Sequence, residues 1–172
     1  MSAIPYYQKQ QLEGDGKWNP HICSICCLKS AGDYFEVTQD KSLYQLTMNA
    51  LEAGVFKEDK ETGEILGAYH VPLVELAKSL GLYGKVERRL TLRRLINLLK
   101  DGGLVLLSVD KSKIDFQLSG GHIILVHSYD PNTETFIVHD SEPVLADDGE
   151  NIEILRIYLD KISNKRGISL KK

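Results

Sequence analysis

The sequence predicts an α+β domain in which N-terminal helices pack on a C-terminal antiparallel β-sheet. The chain has 172 residues, the size of one domain with a hydrophobic core, and we expect a single domain over residues 1–172. Helical patterns occupy roughly the first hundred residues. From Leu104 onward, strand-sized apolar runs separated by turn residues replace them. Helices that come first and strands that come later are typical of this fold class.

Four helices are predicted ahead of the sheet, at residues 23–34, 42–53, 71–80 and 91–100. Ser42 and Thr91 are suitable N-cap residues, Pro72 suits a first helical turn, and Gly54 suits a helix end. A charged, glycine-bearing segment at 57–67 is expected to be a loop or a mobile flap. We expect the helices to pack on one side of the sheet.

Strands are predicted at residues 104–109, 122–129, 135–140, 152–157 and 167–170, with a short helical piece at 158–162. The second and third strands flank the tetrapeptide Asp130-Pro131-Asn132-Thr133, which is a turn signal between two strand-like runs. We therefore expect these two strands to form a β-hairpin.

Composition and charge narrow the possible partners and the compartment. The formal net charge is only −3, which implies neither a nucleic-acid nor a membrane partner. The N-terminus has no basic start and no apolar run, so no signal peptide is expected. The three cysteines, Cys23, Cys26 and Cys27, lie close together, whereas a disulfide framework would spread them along the chain. We expect a reducing, cytoplasmic location and no cofactor, and the oligomeric state stays open.

Cys23 lies where the first helix should begin, and this position favours a reactive thiol. The first turn of a helix leaves backbone N–H groups unpaired and carries a partial positive charge. A thiolate is stabilised there, so the cysteine becomes a nucleophile near neutral pH. The same N–H groups can hold an oxyanion that forms during acyl transfer.

His122 and Asp140 are the candidate partners of Cys23. His122 follows two glycines and begins a strand, and Asp140 ends the next strand of the predicted hairpin. A loop from 130 to 133 would place His122 opposite Ser141, and a one-residue bulge would place it opposite Asp140. Asp140 could then orient the imidazole, so we expect the three residues to act as nucleophile, base and orienting acid.

Several motifs in the same order resemble the bacteriocin-processing peptidases, which remove double-glycine leaders, and their stand-alone relatives. The motifs are WNPHICSICCLK at 18–29, LLKDGG at 98–103, GGHIILV at 120–126, YDP at 129–131 and FIVHD at 136–140. The resemblance implies a papain-like fold and cleavage of an amide bond in a peptide substrate by a cysteine peptidase.

The opening segment IPYY at 4–7, followed by glutamines, resembles the segment that supplies an oxyanion-hole glutamine in that family. We expect Gln10, then Gln8, to play this part, although the spacing selects Lys9. Ser24 also departs from the family pattern, because glycine usually follows the nucleophile there.

Three alternative functions remain open. His21, Cys23, Cys26 and Cys27 are soft ligands, but a zinc site usually needs a second pair at defined spacing. Cys23 and Cys26 could form a thiol redox module, but the strand that normally precedes such a motif is absent from the sequence pattern. A papain-like domain that binds peptides without cutting them is the third alternative. Otherwise, Cys26 and Cys27 are expected in the core, and His127 and His139 are expected to be structural or exposed.

Overall fold

The structure, a computed structural model, describes residues 3–13 and 16–172. Gly14 and Asp15, which the sequence assigns to a polar loop, lie outside the described residues. The α-helices are α1 (Cys23–Tyr34), α2 (Leu43–Glu52), α3 (His70–Ser79), α4 (Leu92–Lys100) and α5 (Arg156–Ile162). The predicted helices and strands occur in the predicted order, with ends that differ from the prediction by at most four residues.

The strands form two antiparallel sheets. A small sheet contains β1 (Phe56–Glu58) and β2 (Ile65–Gly67). The large sheet contains β3 (Tyr83–Glu87), β4 (Leu104–Asp110), β5 (Gly121–Asp130), β6 (Thr135–His139), β7 (Ile152–Leu155) and β8 (Ser163–Lys171), in the order β3-β8-β4-β5-β6-β7. The segment predicted as a loop or flap is therefore a short hairpin, and β3 is a strand that sequence reasoning missed.

Hydrophobic clusters cover both faces of the large sheet, so the expectation that all helices pack on one side is wrong. Helices α1, α2 and α3 pack on the face that carries Leu106, Leu125 and Ile168. Helices α4 and α5 pack on the opposite face, which carries Leu107 and Val126. The two faces alternate along each strand because successive side chains point to opposite sides.

Helix α1 is buried along most of its length, and this burial fixes the position of its first residue. Ile25, Leu28 and Ala31 are fully buried against the sheet. The Tyr7 hydroxyl donates to an Asp33 carboxylate oxygen at 2.6 Å, and Lys29 Nζ lies 2.7 Å from the same carboxylate. These bonds hold the N-terminal segment alongside α1.

No helix of residues 3–13 and 16–172 has both the length and the apolar character needed to cross a membrane.

Candidate active site

Cys23 is the first residue of α1, as the sequence predicts. Ile22 precedes it and offers no side-chain cap, and the first turn contains no acidic residue. The first-turn N–H groups therefore face the site without a side-chain acceptor. The Cys27 thiol lies 3.6 Å from the backbone oxygen of Ile123, so the helix is anchored to β5 beside His122. This contact brings the start of α1 and the start of β5 together.

His122 and Asp140 form a short hydrogen bond in a fully buried environment. His122 Nε2 lies 2.6 Å from Asp140 Oδ1, and the two side chains are 1% and 0% exposed. The Asp140 carboxylate also accepts backbone N–H groups of Glu142, Val144 and Leu145 at 3.2, 3.0 and 3.1 Å. A carboxylate held by so many donors is fixed in position and can orient the imidazole.

The hairpin register differs from both alternatives that the sequence left open. Asp130 pairs with Thr135, and an irregularity between Val126 and Ser128 then shifts the pairing so that Leu125 faces His139. Extending that register places Glu142 opposite His122, with Asp140 on the diagonal. Diagonal neighbours share one face of a sheet and are within reach of long side chains. The His122–Asp140 contact is therefore diagonal rather than directly cross-strand.

Electrostatics favour a charged pair between Cys23 and His122. Burial alone would raise the pKa of the Cys23 thiol, but hydrogen bonding to His122, the charge of His122, the Ile123 backbone and the charge of Lys9 lower it below its ordinary value. Burial would lower the pKa of His122, but Asp140 and Cys23 raise it to about 9. The lowered pKa of the thiol favours a Cys23 thiolate, and the neighbouring His122 is largely protonated below about pH 9.

The structure places Lys9 beside the site instead of the two glutamines predicted for the oxyanion hole. Gln10 is exposed, and the Gln8 amide lies 3.5 Å from the Asp148 backbone oxygen. Lys9, and neither glutamine, is buried, because residues 9–11 form a short 3-10 helix that turns the Lys9 side chain inward. The prediction of Gln10 or Gln8 thus does not fit the fold, whereas the spacing argument for position 9 does.

Glu142 holds Lys9 in place. Its Oε2 atom lies 2.9 Å from Lys9 Nζ, 3.5 Å from Lys111 Nζ and 3.7 Å from His122 Nδ1. Lys9 Nζ also donates to the backbone oxygen of Pro20 at 3.1 Å. The lysine charge is therefore fixed between the loop before α1 and the segment after β6. Sequence reasoning missed Glu142, since only the observed register brings it opposite His122.

The remaining cysteines and Ser24 belong to the interior. Cys26 and Cys27 are 1% and 2% exposed, and burial raises the pKa of each thiol well above its ordinary value. A buried thiol of that kind is a poor redox partner for Cys23. Ser24 is fully buried, and its Oγ atom has no hydrogen-bond partner among the residues that the structure describes. In that part of the chain, no cluster of three His, Cys, Asp or Glu side chains could hold a metal ion.

Cys23 and His122 open onto a cleft of about 740 Å³. The 3-10 helix before α1 contributes His21, which lines the cleft. The hairpin of β1 and β2 borders the other side through Lys57 and Gly67. His70, which sequence reasoning missed, lies between them at the start of α3, and its Nε2 atom is 3.1 Å from Ser108 Oγ.

Comparisons with known proteins gave a family match and several similar solved structures. Residues 1–156 match the model of the Peptidase_C39-like family. The comparison with curated proteins gave no significant match. A C39-like peptidase from Bacillus anthracis has a similar structure at 17% identity and a TM-score of 0.64, covering 98% of this chain and 94% of that one.

Two further solved structures have the same papain-like α+β fold. One is a double glycine motif protease from an AMS/PCAT transporter in complex with its leader peptide, at 11% identity and a TM-score of 0.58, covering 99% of this chain and 93% of that one. The other is the peptidase domain of the Streptococcus transporter ComA, at 15% identity and a TM-score of 0.55, covering 88% and 91%. At these identities the likeness concerns the fold.

Proposed function

The chain belongs to the Peptidase_C39-like family, and from this premise we propose that it is a cysteine peptidase that uses Cys23, His122 and Asp140. The observation that carries the proposal is the buried 2.6 Å hydrogen bond between His122 and Asp140, beside a cysteine whose thiol pKa is lowered by His122. A nucleophile, a base and a group that orients the base form the general pattern of covalent catalysis.

The proposed reaction is hydrolysis of a peptide bond through a thioester. His122 accepts the Cys23 proton, and the thiolate attacks the carbonyl carbon to form a tetrahedral oxyanion. The oxyanion collapses, the C–N bond breaks, and His122 gives its proton to the leaving amine. Water then attacks the thioester carbonyl while His122 takes a proton from it. The C–S bond breaks, the carboxylic acid leaves, and Cys23 is released as a thiolate beside the imidazolium ion. Asp140 stabilises the imidazolium ion in both steps.

Two donors support an oxyanion hole on the α1 side of the cleft. The first is the backbone N–H of Cys23, which lies in the uncapped first turn of α1. The second is Lys9, whose ammonium group has three N–H donors, and the described residues provide two acceptors for it, Glu142 and Pro20. The remaining N–H is available to an oxyanion, and the positive charge of the lysine would add to its effect.

A peptide is the substrate class that this proposal favours. The AMS/PCAT protease of the same fold was solved with a leader peptide, and we extend peptide binding to this chain as part of the proposal. The cleft has the volume of a typical ligand site and exposes backbone at Gly67, Ala68 and Gly121. Exposed backbone next to a nucleophile suits the alignment of an extended peptide.

A peptide library analysed by mass spectrometry tests the proposal. We expect the unmodified protein to cut a subset of peptides, and Cys23→Ala and His122→Ala each to abolish cutting while keeping the unfolding midpoint within a few degrees. Cys26→Ala is the matched control, because it removes a neighbouring thiol from the core and leaves the site intact. Cleavage that persists in Cys23→Ala would contradict the assignment.

A peptide-binding domain without catalysis is the second candidate, and two departures favour it. Ser24 replaces the usual glycine with a buried hydroxyl that has no partner in the described residues, and Lys9 replaces the expected glutamine. Iodoacetamide labelling near pH 7 separates the two functions. A catalytic Cys23 should react much faster than Cys26, since only the thiolate is nucleophilic. Equal, slow rates for both thiols would favour the binding domain.

A further inference from the structure

The end of the cleft away from α1 is rich in positive charge. Its lining includes the side chains of Arg88, Arg166 and Lys57. Among the lining residues within the described part of the chain, none is aspartate or glutamate. The weakly negative net charge of the whole protein makes this local excess of cations notable. Such a surface attracts anions.

Arg88 and Arg166 lie at the end of the pairing between β3 and β8. The last paired residues are Glu87 and Gly167, and Arg88 directly follows the first of them while Arg166 directly precedes the second. Beyond the two arginines, the Leu90 N–H donates to the Lys165 backbone oxygen at 2.9 Å, so the two segments stay adjacent there. Like charges close to each other repel, although water and salt screen exposed groups. An anion bound between the two guanidinium groups would relieve this repulsion.

The described part of the chain supplies no such anion. Neither Arg88 nor Arg166 forms an ion pair there. The acidic neighbour Glu87 points to the other side of β3, where it bonds Arg94 at 2.9 Å and Ser169 at 3.1 Å. The two guanidinium groups are thus exposed and open to a ligand. Guanidinium groups bind carboxylates in a bidentate, planar geometry.

A short series of contacts connects this pair to the candidate nucleophile. The positive charge of Arg166 acts on His70, and His70 bonds Ser108 at 3.1 Å. Ser108 pairs with Ile123, the neighbour of His122. The arginines and Cys23 therefore line one continuous cleft, and a peptide bound across Cys23 can extend to them.

We propose that the cleft selects peptides that carry a carboxylate, which binds between Arg88 and Arg166. This inference rests on the proposed peptide substrate and adds a charge preference to it. The carboxylate can belong to an aspartate or glutamate side chain or to the C-terminus of the peptide. Both sources offer the same planar anion to the two arginines, and the experiment below distinguishes them.

Binding to the Cys23→Ala protein provides the test, because it measures affinity without requiring cleavage. Three pools of N-acetylated hexapeptides with an uncharged fluorophore are compared by fluorescence anisotropy. One pool has a glutamate at each position in turn and an amidated C-terminus, the second has glutamine instead, and the third has glutamine and a free C-terminus. We expect the first or the third pool to bind about tenfold or more tightly than the second, which corresponds to about 1.4 kcal/mol.

Removal of the arginines should abolish this preference. Arg88→Gln combined with Arg166→Gln should bring all pools to the affinity of the glutamine-amide pool, whereas Arg93→Gln, an exposed arginine on α4, should change nothing. Because the double variant removes like-charge repulsion, we expect it to unfold at the same or a higher temperature. The two single variants serve if it does not fold.

Several outcomes would overturn the inference. The inference is wrong if the three pools bind with equal affinity or do not bind at all. It is also wrong if the preference for a carboxylate survives the removal of both arginines. Displacement of the glutamate pool by a short single-stranded oligonucleotide at lower concentration than by unlabelled peptide would assign the cations to another ligand. Failure of Cys23 chemistry alone would leave these affinities unaffected, so the two proposals fail separately.

Discussion

Replacing Asp140 with asparagine removes the negative charge beside His122 and keeps the size of the side chain. The carboxylate accepts from His122 and Glu142 through Oδ1 and from Val144 and Leu145 through Oδ2. Asparagine has one acceptor oxygen, so its NH₂ group must face either the imidazole or two backbone N–H groups. With the first orientation the imidazole loses its acceptor, and with the second the loop loses two hydrogen bonds. Both orientations weaken the imidazolium ion.

The effect on His122 can be worked out from its pKa. At a pKa of about 9, about nine tenths of the imidazole is protonated near pH 8, whereas at its ordinary value of 6.5 only about 3% is protonated. The upper limit of the effect is therefore about a thirtyfold loss of imidazolium near pH 8. Cys23 also raises the pKa of His122 and remains in the variant, so the measured loss will be smaller. We expect the pKa to fall by at least about one unit.

Alkylation of Cys23 gives an assay that needs no substrate. The rate with iodoacetate, divided by the rate with iodoacetamide, reports the positive charge near the thiolate, because only the first reagent is an anion. This ratio should decrease near pH 9 in the unmodified protein and at lower pH in Asp140→Asn. Arg88 and Arg166 also attract iodoacetate, but arginine stays charged throughout this range.

Stability and specificity controls accompany the assay. Loss of two hydrogen bonds to a charged group predicts a decrease of about 2–4 kcal/mol in the free energy of unfolding, which urea titration measures. A ratio of two rates on the same protein does not depend on the folded fraction, provided that the protein is mostly folded. Asp148→Asn, an exposed carboxylate in the loop after β6, is the matched control. An Asp140→Asn profile that coincides with that of the unmodified protein would refute the role assigned to Asp140.

Three further predictions concern the surroundings of the site. Lys9→Met should lower kcat on a cleaved peptide by on the order of a hundredfold, because it removes an oxyanion donor. Lys9→Gln and Lys111→Met keep a donor at position 9 and should lower kcat by much less. Equal kcat values for all three variants would contradict the oxyanion role. Gly149→Ala should lower the free energy of unfolding, measured by urea titration, by about 2–4 kcal/mol, because the new Cβ would collide with the Asp140 backbone oxygen and the Tyr6 hydroxyl. Gly54 also has a positive φ but lies in open space, so Gly54→Ala should lower it by only about 1 kcal/mol. Burial and the neighbouring His139 lower the pKa of His127 to about 4, so on acidification the unfolded chain binds this proton before the folded protein does. The free energy of unfolding should therefore fall as the pH decreases from about 6.5 towards 4. His127→Gln should flatten this dependence of stability on pH, and the same dependence in both proteins would contradict the prediction.

Local signals in the sequence were sufficient for the helices and for the nucleophile. Ser42 and Thr91 are N-caps, and their hydroxyls accept the backbone N–H groups of Gln45 and Arg94. Such caps depend on residues only three positions apart, so a sequence pattern can reveal them. Cys23 is the first residue of α1, as predicted, although no side chain caps this helix.

Features that depend on contacts between residues far apart in the sequence could not be predicted from such local patterns. Strand β3 contains glycine, lysine and glutamate, which are poor strand formers, and it exists because β8 pairs with it. The juxtaposition of Arg88 and Arg166 follows from that pairing alone. The inward position of Lys9 depends on Glu142, which lies after β6, so spacing could select the residue but not the direction of its side chain.

The contacts that activate Cys23 also determine when during folding it becomes reactive. His122 follows Cys23 by about a hundred residues, and the backbone of Ile123 comes from the same strand. Until β5 docks on α1, the contacts with His122 and Ile123 that lower the pKa of this thiol are absent. In a growing or unfolded chain the thiol is thus a weaker nucleophile, because the groups that activate it are distant in sequence and are brought together only by folding.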